Sequence, residues 1–375
     1  MLAVAQPILG AEEKAALAEV IDSCWITMGD RVERFERAFA ELHAMPNAVA
    51  VSSATAGLHL SLHALGLGAG DEVLVPSLTF VASANCVIYT GATPVLVDIQ
   101  SVNRPLMSIE DAARKCTPRT KAIMLVHYAG YVADRDAWRS FAAERGLLIV
   151  EDAAHAAGLR EAGTVGDAAV FSFYGNKNMT TAEGGMVVAS DPKLLAAIRQ
   201  LRGHGLTSGT FQRHRSAAPI YDATMLGFNY RMDELRAALG LVQLRKLPAW
   251  NARRRALTMQ YRELLRGIEP DIEIPFGDLE CSSFHIMPVT LSREVDRQAL
   301  IEQMRSDGIQ TSVHYPPVHQ LSLYRQLCPG ARLPVTEDFA ARELTLPLHP
   351  QLELDDLRLI ARSLQGALTN RLANP

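Results

Sequence analysis

Leu148-Ile149-Val150-Glu151-Asp152-Ala153-Ala154-His155 and Ala169-Val170-Phe171-Ser172-Phe173-Tyr174-Gly175-Asn176-Lys177 are the stretches on which the fold turns. Each opens on a short apolar run of the kind found in strands buried on both faces. The first run ends in an acid, and the second is followed by a lysine. Outward from these, residues 73–75, 94–97 and 122–126 read as further buried strands, with helical patterns between several of them. Ser108 reads as an N-cap with Asp111 at N3, opening a short helix that stops before Pro118. The alternation predicts an α/β fold: a large domain with a mostly parallel mixed sheet between helices. Ligands of such sheets gather beyond the carboxyl ends of the strands.

Further along, Gly184-Gly185 turns into a strand at Met186-Val187-Val188, and a helix is expected over 192–201. Residues 202–230 are polar, contain glycine and lack a period, which predicts a functional excursion. Two helices are expected next, over 233–247 and 253–265. The domain change is placed near Pro248, which gives a large domain 1–248 and a smaller α+β domain 249–375. In the smaller domain a strand is expected over 284–289, with helices near 294–307 and 351–368.

The 375 residues are 48% hydrophobic and 21% charged, an ordinary globular balance. A net charge of -4 gives no basic excess for nucleic acid or an anionic membrane. The five cysteines are odd in number and lack metal-ligand spacing, so neither a disulfide framework nor a metal site is expected. No signal peptide or membrane-length apolar run is read, and the expected location is cytoplasmic.

An acid and an amine leaving neighbouring strand ends are what pyridoxal 5'-phosphate (PLP) requires. Lys177 would hold its aldehyde as a Schiff base, and Asp152 would keep the pyridine nitrogen protonated. His155, one helical turn past Asp152, would contact the ring oxygen or stack on the ring. Ser172 would turn toward the phosphate. In Val51-Ser52-Ser53-Ala54-Thr55-Ala56-Gly57 a strand enters a helix, whose free amides form an anion site. Phe80 would stack against the ring. Singly, each has a plainer reading: Asp152 as a helix cap, Lys177 as a surface lysine, Phe80 as core. Their order along the chain is what carries the reading.

With these motifs the sequence resembles the DegT/DnrJ/EryC1/StrS sugar aminotransferases, within fold-type I of the PLP enzymes. Further matches are Gly70-Asp71-Glu72-Val73, Pro76-Ser77-Leu78-Thr79-Phe80, Gly91-Ala92-Thr93-Pro94 and Glu183-Gly184-Gly185. Gly227-Phe228-Asn229-Tyr230-Arg231-Met232 and His314-Tyr315-Pro316-Pro317 extend the resemblance along nearly the whole chain. It implies catalytic roles for Lys177, Asp152 and His155, and cofactor contacts at Ala54, Thr55, Phe80, Ser172 and Asn229. Asn229 would reach the phosphate of the partner subunit, which implies a homodimer with shared active sites. The presence of Lys177 separates the chain from relatives that carry histidine there and dehydrate the sugar.

The implied reaction moves an amino group from L-glutamate to a nucleotide-linked keto sugar. The Ser-Ser-Ala-Thr-Ala-Gly and Glu-Asp-Ala-Ala-His forms resemble enzymes aminating a UDP-4-keto-pentose. The Asn-Tyr-Arg-Met stretch resembles those acting on 4-keto-6-deoxyhexoses. Trp25, Thr27, Arg231, His314, Tyr315 and His319 are candidate substrate residues, and Arg202, Arg213 and Arg215 are candidates to face the nucleotide. His314 and His319 read equally well as structural histidines. One alternative is a PLP aminotransferase acting on a keto-cyclitol, and another is a non-catalytic binder of PLP or a sugar nucleotide.

Overall fold

The computed structural model describes residues 1–209, 211, 213–214, 220–268, 271–277 and 281–370. After helices α1 (Ala11–Asp22) and α2 (Asp30–Leu42), the chain builds β1 (Ala48–Val51), α3 (Ala54–Ala64), β2 (Glu72–Pro76), α4 (Ala82–Tyr89) and β3 (Thr93–Val97). A small hairpin, β4 (Ile99–Ser101) and β5 (Arg104–Met107), leads to α5 (Ile109–Lys115) and β6 (Thr120–Val126). Then come α6 (Arg135–Arg145), β7 (Leu148–Asp152), β8 (Ala168–Ser172), β9 (Gly185–Val188) and α7 (Pro192–Leu201). The strands expected at 73–75, 94–97, 122–126, 148–150 and 169–171 all form. Ser108 caps α5, accepting the Asp111 amide at 3.1 Å.

Seven strands make one sheet in the order β1-β9-β8-β7-β6-β2-β3, in which only β9 runs antiparallel to its neighbours. Alternate residues go to opposite faces, and both faces are covered. Val49 and Val51 of β1 join Val170, Val187 and Leu58 of α3 in one core. Ala48 and Ala50 join Phe171, Met186, and Phe35 and Phe39 of α2 in another. The parallel pairing sets Val126, Asp152 and Val170 level, and β8 runs two residues further, so Asp152 and Ser172 both lie at the carboxyl edge of the sheet.

A single helix, α8 (Glu234–Leu265), runs through Pro248 and corrects the two helices expected there. Pro248 lacks an N–H and costs its helix about 3 kcal/mol. Burial on either side offsets this: Leu244 and Leu247 lie in the core beside α2, and Leu257 and Tyr261 lie in a second core. That second core belongs to an α+β region. It contains the antiparallel strands β10 (Ile272–Glu273), β11 (Met287–Leu291) and β12 (Glu343–Leu346). The remaining helices are α9 (Arg297–Ser306), α10 (Ser322–Leu327), α11 (Pro334–Arg342) and α12 (Leu354–Asn370). The strand expected over 284–289 begins later, at Met287, because Phe284 takes a left-handed conformation with φ 51° that a strand cannot contain. No helix among the described residues is long and apolar enough to cross a membrane.

Candidate active site

Asp152 is the last residue of β7, and its two oxygens are already oriented. Ser83 of α4 donates to Oδ2 at 2.6 Å, and the Ala154 amide donates to Oδ1 at 3.1 Å. Ser83 is in turn 2.7 Å from the Thr79 hydroxyl. Sequence reasoning missed Ser83 and Thr79. Their only signal is a pair of small hydroxyls, four residues apart, where β2 gives way to α4.

Lys177 lies in the turn after β8. Burial pulls its amine down to about 8, against the opposing pull of the Asp152 carboxylate. The side chain is only partly covered by area, yet protein surrounds it on most sides. Three histidines and a tyrosine share this space. His155 stands 4.3 Å from His285 and 6.5 Å from His314, centroid to centroid. Burial, with repulsion from Lys177, holds all three imidazoles neutral: His314 falls to about 4, and His155 and His285 fall well below their ordinary value.

His155 Nε2 is 2.8 Å from the Tyr315 hydroxyl, while Nδ1 is buried without a protein partner. Its carbonyl accepts a hydrogen bond from Ser283, which Gly130 makes possible. With φ +89°, Gly130 sits where a Cβ would collide with the Ser283 hydroxyl. His285 was not anticipated from the sequence. Asn178 gives its amide hydrogens to Asn251 Oδ1 and the Ser283 carbonyl, so its own oxygen accepts from His285 Nδ1 at 2.7 Å.

The first turn of α3 approaches the end of β8 through Gly185, which pairs with Ser172. A Cβ on Gly185 would lie 2.7 Å from the Ala54 nitrogen, so only glycine allows the contact. Ser53 caps α3 by accepting the Ala56 amide at 3.1 Å. The amides of Ala54 and Thr55 precede the helix's own hydrogen-bond ladder and remain as first-turn donors. Ser172 is buried at the strand end. Phe80 is 59% exposed, 6.1 Å from the Tyr315 ring.

The other sequence candidates lie elsewhere in the subunit. Asn229 is exposed at the base of the 202–230 excursion, bridged to Gly203. Trp25 packs on that excursion, 5.4 Å from Phe211. Thr27 and Arg231 line a groove of about 660 Å³ with Arg199, Arg202 and Ser208, and no residue of the Lys177 cluster contributes to it. Arg202 is committed to Glu36 at 2.6 Å, and Arg213 lies over the Tyr221 ring. His319 is buried with both ring nitrogens engaged, by Ser77 at 2.7 Å and Glu337 at 3.0 Å. Arg215 lies outside the described residues.

These features fit a group with a pyridine nitrogen, a carbonyl carbon, a ring hydroxyl and a phosphate. Asp152 offers an oriented carboxylate, Lys177 an amine of lowered basicity, and His155 an unpartnered buried nitrogen. The start of α3 offers amides.

Residues 7–365 match the model of the DegT/DnrJ/EryC1/StrS aminotransferase family. Among solved structures, the chain is similar to Helicobacter pylori PseC, an aminotransferase involved in the biosynthesis of pseudoaminic acid. Identity is 30%, coverage is 98% of this chain and 99% of that one, and the TM-score is 0.92. Streptomyces DesV (S. venezuelae), solved in complex with a ketimine intermediate, is 37% identical over 97% of this chain and 95% of its own, with TM-score 0.85. DesI, solved in the presence of its TDP-sugar product, is 34% identical over 100% of this chain and 95% of its own, with TM-score 0.87.

Proposed function

The chain belongs to the DegT/DnrJ/EryC1/StrS aminotransferase family, and from that premise we propose that it transfers an amino group from L-glutamate to a nucleotide-linked 4-keto sugar. The sugar is of the UDP-4-keto-pentose or 4-keto-6-deoxyhexose type. The observation that carries the reading is the meeting of Lys177, Asp152 and His155 beyond the ends of β7 and β8. The similarity to DesI, solved with a TDP-sugar product, supports the substrate class.

Pyridoxal 5'-phosphate, when bound, supplies a carbonyl to which amines add and a protonated ring that draws electrons from the carbon losing its proton. Asp152, fixed by Ser83 and Ala154, would keep the ring nitrogen protonated. His155, with Nδ1 buried and unpartnered, and Phe80, exposed at the pocket, would help hold the ring. Ala54 and Thr55 would hold the phosphate through their first-turn amides, with the hydroxyls of Thr55 and Ser172. Lys177 Nζ, its basicity lowered by burial, would carry the Schiff base and would take up and return the proton of the donor's Cα. The same nitrogen would serve as acid and base in turn when the keto sugar is the acceptor.

The acting unit is a homodimer in which Asn229 of the partner subunit completes the phosphate site. Asn229 is exposed in the single subunit, and Leu226 nearby exposes 84% of its surface, as residues awaiting a second copy would. Trp25, Thr27 and Arg231 border the sugar nucleotide in that assembly, and His314 and Tyr315 border the sugar.

The test supplies nitrogen-15-labelled L-glutamate with a panel of keto acceptors and reads product masses. One 4-keto sugar nucleotide gains the label with wild-type protein and none does with Lys177→Ala. Labelling of a keto-cyclitol alone would contradict the sugar assignment, and transfer by the alanine variant would contradict the role of Lys177.

A further inference from the structure

Glu343 is a fully buried carboxylate at the start of β12. Among the described residues it pairs with no lysine or arginine. Arg297 turns its Nη1 to the carbonyls of Ala340 and Glu343. Glu343 Oε2 accepts the His314 amide at 2.8 Å, and Glu343 Oε1 accepts the Thr345 hydroxyl at 2.5 Å. Thr345 lies two residues on, so the strand period puts both side chains on one face. Thr345 Oγ1 is also 2.8 Å from His314 Nδ1. The Tyr128 hydroxyl holds the His314 carbonyl at 2.7 Å, and Ser312 pairs with Thr345 across the backbone. The imidazole is thus fixed with Nδ1 toward Thr345 and Nε2 left for the space it shares with Lys177.

A hydroxyl has one hydrogen, so the direction of this chain is set at its ends. When Glu343 is ionised, Thr345 donates to it, His314 Nδ1–H donates to Thr345, and Nε2 is an acceptor. When Glu343 is protonated, the acid donates to Thr345, Thr345 donates to Nδ1, and Nε2 carries the hydrogen.

We infer that Glu343, Thr345 and His314 form a proton relay serving the amines that come and go at Lys177. A proton taken up at His314 Nε2 sends the Nδ1 proton to Thr345 Oγ1 and the Thr345 proton to Glu343 Oε1. One proton enters and one carboxylate is neutralised, with the imidazole neutral before and after. The reverse returns the proton to the pocket.

This resolves an energetic difficulty. His314 by itself is a poor base, because burial and Lys177 hold it near 4. Burial raises Glu343 to about 8, against the pull of Thr345, the His314 amide and Arg297. A group titrating there is poised for acid–base work near neutral pH. Glu343 and Asp152 add to the burial that keeps the Tyr315 hydroxyl protonated, and Glu343 does the same for Tyr128, so neither tyrosine competes for the proton.

The inference rests on the aminotransferase reading for its purpose, but its test does not need turnover. Infrared pH-difference spectra of the full-length protein without substrate report carboxyl and imidazole modes. Glu343→Gln assigns the first and ring-labelled histidine the second. Both change together in the wild type, and in Thr345→Val the carboxyl titrates while the histidine tautomer stays fixed. In the glutamate half-reaction, Thr345→Val loses the limb of the pH–rate profile near pH 8 and slows on the order of 100-fold. Thr345→Ser restores the limb. An imidazole mode that ignores the carboxyl titration in the wild type, or a Thr345→Val profile matching Thr345→Ser, overturns the relay.

Discussion

Lys177→Met should abolish transamination and yet stabilise the cofactor-free protein. The amine is depressed from 10.5 to about 8 by burial, net of the Asp152 attraction. A shift of that size corresponds to about 3 kcal/mol of penalty on the charged form. The side chain is partly exposed toward the open pocket, which lowers the expected gain to about 2 kcal/mol. Methionine keeps the stem and drops the charge. The sign follows from proton counting: between pH 8 and 10.5 the unfolded lysine is protonated and the folded one is not, so wild-type stability rises with pH there. The advantage of the variant is therefore complete below pH 8 and gone above pH 10.5. Urea denaturation of both proteins, cofactor-free and at one protomer concentration, at pH 7 and pH 10 measures it. A variant less stable than the wild type at pH 7, or a gap independent of pH, refutes the claim that Lys177 is held against its charge.

Glu36 is buried, accepts Arg202 at 2.6 Å, Arg199 at 2.5 Å and the Ala50 amide at 2.9 Å, and ties α2 and α7 to β1. Glu36→Ala leaves Arg202 buried without its carboxylate and should cost about 3–5 kcal/mol in denaturant titration, and a loss under about 1 kcal/mol contradicts the pairing. If Asn229 completes the phosphate site of a partner subunit as proposed, Asn229→Ala should weaken cofactor retention through dialysis, and unchanged retention would contradict that role.

What could be read from the sequence depended on range. The strand runs around 122–126, 148–150 and 169–171 announce themselves because residues buried on both faces must be apolar throughout. Ser108 and the helix over 192–201 carry local signals, a cap and a period. Pro248 misled because its local cost is outweighed by cores at either end of α8, which no local window contains. Phe284 misled because its left-handed backbone is imposed by the turn that brings Ser283 and His285 to His155. Asp152 and Lys177 stand out because each follows an apolar strand. Ser83, His285 and Glu343 do not, since each matters only through a partner brought from far along the chain.

The role of Lys177 is tested most directly by the visible absorbance of the purified protein with PLP. It is followed through addition of L-glutamate and then of 4-keto sugar nucleotides one at a time. A band from cofactor held by Lys177 is expected, with its loss on adding glutamate and its return with one sugar nucleotide. No band after adding PLP, or a band that glutamate leaves unchanged, would contradict that role.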